Sequence, residues 1–212
     1  MPLYKVIQHD PHTTVFVWQI TESLADLFDM ARLTDRSIFR IGGTSSIEHK
    51  KGFISVRCLL QAAGTDDFQL YYDEFGKPNL TDGRHISISH SHEFSTIIVS
   101  NRKCGIDLEL RRDKIIRIAN KFVEDGFEFP NRDDKEEYIS RLTVDWGIKE
   151  SVFKIRNEPG ISFKQHISVT PFDLESGKTS ALLTFGDVRQ KFEVFFTQVD
   201  NYMLVYAFED NA

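Results

Sequence analysis

The chain has 212 residues, 41% of them hydrophobic and 18 of them phenylalanine, enough for one good core or two small ones without disulfide staples. Only Cys58 and Cys104 are present, no charged-then-apolar leader opens the chain, and apolar runs such as Ser95 to Ser100 are strand-length; these facts exclude a disulfide framework and a membrane span and predict a cytoplasmic protein. A formal net charge of −6 excludes nucleic acid as a bulk partner, but a phosphorylated ligand can still be held by a few converging lysines or by a metal between carboxylates and phosphates.

In chain order, Thr13 to Ile20 reads as a buried strand, and Ser23 to Leu33 has helical spacing through Leu24, Leu27, Phe28 and Ala31. Ser45 or Ser46 can cap a second helix with Phe53, Val56, Leu59 and Leu60 on its apolar side and Gly64 as its stop. Short β-rich pieces follow at Gln69 to Tyr72, His85 to Ser89, Thr96 to Ser100 and Gly105 to Leu110, with a Gly76-Lys77-Pro78 turn among them. Lys114 to Phe122 is helical in spacing, a polar stretch comes next, and a long helix is predicted from Lys135 to Ile155. Strands at Ile167 to Val169, Ala181 to Phe185, Phe192 to Val199 and Tyr202 to Phe208 close the chain, with hairpin turns expected at Ser176-Gly177 and Asp200-Asn201. This order predicts an α+β fold of two similar tandem halves, 1–101 and 102–212, each a small, largely antiparallel sheet packed by helices.

The chemistry-bearing pattern is acidic. Asp107 and Glu109 stand two apart in a strand, so both carboxylates project from one face. Trp146, Glu150 and Lys154 follow at i, i+4 on the long helix and share a stripe. Carboxylates brought this close raise one another's pKa unless a cation compensates, and magnesium, which takes a few carboxylates plus waters and substrate phosphates, suits such a set. His90 and His92 without further ligands at matching spacing make a poor zinc site. Taken singly, an Asp-x-Glu strand is usually a solvated face, and a Lys-Glu helix pair a surface ion pair. Aromatics at helical spacing, Phe122, Trp146 and Phe153, are assigned to the core.

Three segments in order resemble the 4'-phosphopantetheinyl transferase superfamily, in particular its larger single-chain type: Gly76-Lys77-Pro78 followed by Ile86 to Ser91, then Gly105-Ile106-Asp107-Leu108-Glu109, then Trp146-Gly147-Ile148-Lys149-Glu150-Ser151-Val152-Phe153-Lys154. The resemblance runs from about Lys77 to Lys154, with Cys104 and Gly147 as departures that touch no ligand. It implies magnesium-dependent transfer of the 4'-phosphopantetheine group from coenzyme A to a serine of an apo acyl or peptidyl carrier protein of fatty-acid, polyketide or nonribosomal peptide synthesis, releasing 3',5'-ADP. It implies metal ligands Asp107, Glu109 and Glu150, and Glu150 and Lys154 in catalysis. Lys77, Pro78, Ser89, His90, Lys149 and Lys154 are implied on the coenzyme A side, with the first half taking the 3'-phosphate and adenosine and the active site where the halves meet. It further implies an internal pseudo-dimer that acts as a monomer. Arg36, Arg40, Lys50, Lys51 and Arg57 are basic residues without an assigned role. Two other readings compete: a non-catalytic coenzyme A or carrier-binding module, and a metal-dependent phosphohydrolase.

Overall fold

The computed structural model describes residues 3–124 and 134–210, so most of the polar stretch between Phe122 and Lys135 lies outside the described residues. The chain divides into two units, Met1–Arg102 and Lys103–Ala212. Both are built of small antiparallel sheets packed by helices, the α+β architecture predicted. Among the described residues no helix is long and apolar enough to cross a membrane.

The first unit runs β1 (Leu3–Asp10), β2 (Thr13–Gln19), α1 (Leu24–Met30), α2 (Asp35–Gly42), α3 (Ile47–Ala62), β3 (Leu70–Tyr72), β4 (Pro78–Leu80), β5 (His85–Ser91) and β6 (Phe94–Ser100). Its main sheet has the order β1-β2-β6-β5, and β3 and β4 form a separate ribbon. Alternation in β2 sends Val15 and Val17 fully inside. Ser46 accepts the His49 amide and starts α3, whose Ile54, Leu59 and Leu60 join Leu27, Trp18 and Ile97 in one core. β1, α2, β4 and, in the second unit, Phe163–His166 go beyond the sequence-based expectation. β1 is an edge strand in which no side chain is fully buried, so it carries no clear alternation to read. α2 is a two-turn helix that leaves Ile38 and Phe39 exposed and buries Ser37 and Ile41.

The second unit runs β7 (Cys104–Leu110), α4 (Lys114–Ile118), α5 (Lys135–Arg156), α6 (Phe163–His166), β8 (Ile167–Val169), β9 (Lys178–Phe185), β10 (Val188–Val199) and β11 (Tyr202–Glu209). Its sheet order is β7-β11-β10-β9-β8. The helix expected to reach Phe122 is α-helical only to Ile118 and then tightens to a 3₁₀ turn over Ala119–Lys121. α5 starts at Asp134, which accepts the Glu136 and Glu137 amides, and stops at left-handed Asn157. Asp200-Asn201 is the β10–β11 hairpin loop, as expected. Ser176-Gly177 instead ends a 3₁₀ turn in the connection from β8 to β9, and the tight turn between β9 and β10 is Gly186-Asp187, with Gly186 at φ 56°.

Candidate functional site

β7 pairs with β11 so that Asp107 stands opposite Val205 and Glu109 opposite Met203. Both acids therefore share a face, and α5 packs against β7 and β11. Asp107 is 6% exposed, and its Oδ1 accepts from Lys154 Nζ at 2.8 Å. The same ammonium donates to the Ile106 carbonyl at 2.8 Å. Glu109 is partly exposed and lies 3.9 Å from the Arg112 guanidinium.

The helix reaches the strand because two positions lack a Cβ. A Cβ on Gly105 would stand 2.0 Å from the Ser151 carbonyl oxygen, so at this point α5 rests with its backbone directly on β7. A Cβ on Gly147 would stand 2.7 Å from Val205 Cγ2 and 3.8 Å from Asp107 Oδ2. Ser151, between Glu150 and Lys154, donates its hydroxyl to the Val205 carbonyl at 3.2 Å and fastens the same contact. Gly147 thus belongs to close packing, which explains a helix-weakening residue in mid-helix.

Glu150 is partly buried, and its carboxyl titrates above the usual range, first because of desolvation and next because Asp107 lies near; Lys154 pulls it down and Glu109 pushes it further up. The four side chains expected to act together are thus electrostatically coupled within this unit. Hard oxygen donors beside a lysine suit magnesium in kind. Among the described residues no three His, Cys, Asp or Glu side chains stand ready to ligate one ion as placed, and the cation beside Asp107 is Lys154. A site of one or two carboxylates completed by waters and phosphate oxygens is consistent with that arrangement.

The opposite stripe of α5 carries Glu137, Arg141, Asp145 and Lys149 at i, i+4 with alternating sign. Arg141 bridges Glu137 at 2.6 Å and donates to the Phe172 carbonyl at 2.7 Å. Lys149, expected beside coenzyme A, is placed in the core instead: it is 1% exposed, its Nζ donates to the carbonyls of Phe122 at 2.6 Å and Phe163 at 3.1 Å, and it faces Asp145 at 3.8 Å. Burial pushes the Asp145 carboxyl up to about 7 against the pull of Lys149, and pushes the Lys149 ammonium down. Trp146 packs edge-on against Phe122 and Phe163, the core role predicted for aromatics here. Lys149→Met leaves the carbonyls of Phe122 and Phe163 without their lysine donor and removes the pull on Asp145, and is expected to lower stability by about 1–3 kcal/mol in urea unfolding; adding Asp145→Leu should recover only the part owed to the buried carboxyl. A phosphate-binding Lys149 would give the reverse result, intact stability with weakened coenzyme A binding.

In the first unit, Lys77 closes the loop between β3 and β4, where Asp73 Oδ1 accepts the Phe75 and Lys77 amides at 2.9 Å each, and Pro78 pairs with Tyr72. Ser89 is buried and pairs with Thr96; His90 is exposed and pairs with Ser95. Of the unassigned basic residues, Arg57 is committed to Asp67 at 3.0 Å with both side chains 3% exposed, and Lys51 donates to the Glu22 carbonyl. Arg36 and Arg40 join Arg57, Phe53 and Tyr72 around a cavity of about 200 Å³. Gly52, buried within α3, is absent from the sequence-based site, although a glycine inside a helical pattern is itself a signal.

No family model matches this chain. The chain is similar to the 4'-phosphopantetheinyl transferase gsp of Aneurinibacillus migulanus, 29% identical over 112 residues, which make up 52% of this chain and 45% of that relative. The match therefore spans just under half the length of the relative, and it agrees in kind with the resemblance carried by the three motifs.

Proposed function

We propose that the protein transfers the 4'-phosphopantetheine group of coenzyme A to a serine of an apo carrier protein, as the larger single-chain enzymes of that superfamily do. The observation that carries this reading is the coupling of Glu150 with Asp107, Lys154 and Glu109 where α5 rests on β7. The division of the chain into two units near Arg102 and the likeness to a transferase of this name support it.

Magnesium would be held by one or two of the carboxylates of Asp107, Glu109 and Glu150, completed by waters and phosphate oxygens, and when bound would neutralise pyrophosphate charge. The chain's own residues do the rest. Glu150 takes the proton from the carrier serine as its oxygen attacks the phosphorus that bears the pantetheine arm; its contribution comes from position, a base held within reach of the hydroxyl. The bond broken joins that phosphorus to the bridging oxygen, and 3',5'-ADP leaves with the electron pair. Lys154 stabilises the charge that develops there. Lys77, Ser89 and His90 take the 3'-phosphate and adenosine side, with Pro78 shaping the turn, and the cavity walled by Arg36 and Arg40 offers guanidinium donors to the same phosphate. Lys149 stays in the core.

The test is incubation with coenzyme A, magnesium and a panel of apo fatty-acid, polyketide and peptide carriers, followed by intact-mass analysis. A phosphopantetheine adduct on at least one carrier is expected. Coenzyme A binding that is indifferent to magnesium, with no adduct on any carrier, would leave only a binding module, and 3',5'-ADP released without a carrier would mark a hydrolase.

A further inference from the structure

We propose that Gly52 is a positioning residue for His90, and that α3 is fastened to the sheet beside it so that the imidazole is held ready for its ligand. The proposal rests on the functional reading above, in which His90 meets coenzyme A. α3 carries Gly52 buried in its second turn, and a Cβ there would stand 2.6 Å from His90 Cδ2 and 3.4 Å from both Cγ and Nε2. The Cδ2 corner of the ring is therefore seated against the bare helix backbone. That contact sets the direction of both ring nitrogens, and every residue other than glycine has an atom in the place the ring edge occupies.

The seat is itself anchored. Ser55, one turn on from Gly52, donates its hydroxyl to the Gly52 carbonyl at 2.9 Å and is 2.9 Å from the hydroxyl of Ser95. Ser95 is the residue directly opposite His90 in the β5–β6 ladder, and both serines are fully buried. Helix and strand are thus tied together by a buried hydroxyl pair at the rung that carries the histidine. His49, one turn before Gly52, presents its ring edge-on to His90 at 6.4 Å between centroids and bounds the other side of the seat. An exposed imidazole on a strand end is ordinarily free to choose among rotamers; here the helix removes most of that choice before any ligand arrives.

The experiment is a double-mutant cycle on the full chain with Gly52→Ala, His90→Ala and the pair together, read by thermal unfolding and by calorimetric titration with coenzyme A. Gly52→Ala is expected to weaken coenzyme A binding about tenfold, as for loss of one charge-assisted hydrogen bond, and to shift the His90 ring resonances in NMR. In the His90→Ala background the same change should have no further effect on binding and should leave the melting temperature unchanged or raised, since alanine is the better helix former. Equal damage from Gly52→Ala with and without the His90 ring would overturn the proposal in favour of a purely structural glycine, and an unaltered affinity in the single variant would overturn it too. Failure of the wild-type protein to bind coenzyme A at all would instead sink the functional reading, and this inference with it.

Discussion

Glu150→Gln is expected to reduce phosphopantetheine transfer by about a hundredfold to ten-thousandfold, the usual contribution of a positioned base, with the fold intact. The two isosteric side chains differ in the ability to accept a proton and in charge. Glu150 sits partly buried near Asp107, and burial followed by that neighbour lifts its pKa above 4.5. The ionised form is therefore the one the fold disfavours. Its contribution to stability is fully present below pH 4.5 and is lost as pH rises through the raised value. The Gln variant lacks that loss, so near neutral pH its melting temperature should equal or exceed that of the wild type, and the difference should close toward pH 4.5. A variant that is inactive because it is unfolded would show a lower melting temperature throughout, and a variant with full activity would remove Glu150 from the chemistry.

The same residues show how far the sequence could be read. Period-two spacing placed Asp107 and Glu109 on one face of a strand, and β7 has them so. Period-four spacing placed Glu150 and Lys154 on one stripe, and Lys154 does reach Asp107. The same spacing leaves Lys149 off that stripe, and only the resemblance of the motif set it beside the ligand. α5 is buried almost all round over Ile139–Lys149, so it has no single polar face against which a lysine can be assigned to solvent, ligand or core. Only the packing partners decide, and Phe122 and Phe163 lie 27 and 14 residues away in the chain. β1 is hard to read for the opposite reason, since as an edge strand with no fully buried side chain it imposes no burial alternation, whereas α2 buries Ser37 and Ile41 at i, i+4 and is short enough to be passed over. Close approach is harder still to read. Gly105 looks like part of a short motif, and nothing in its neighbours reveals that the Ser151 carbonyl lies where its side chain would be.

Gly105→Ala should accordingly be the most damaging of the small substitutions in the second unit. The added carbon would lie 2.0 Å from the Ser151 oxygen and 2.8 Å from its carbonyl carbon, both backbone atoms of a helix fixed along its length. No rotamer change relieves that overlap, so α5 must lift from β7, at an expected loss of about 1–3 kcal/mol or more in urea unfolding. Transfer activity should fall with it, because the shift draws Lys154 away from Asp107. Gly147→Ala provides the contrast within the same interface. Its nearest obstacle is the Val205 Cγ2 methyl at 2.7 Å, a side chain that can be trimmed, and alanine gains about 1 kcal/mol in helix propensity. Val205→Ala should therefore rescue most of the stability and activity lost in Gly147→Ala. No side-chain truncation at Ser151 should rescue Gly105→Ala, since the clash there is with the main chain. Rescue of Gly105→Ala by Ser151→Gly would show that α5 does not rest on β7 through its backbone, and the account of how the acids and Lys154 are brought together would fail with it.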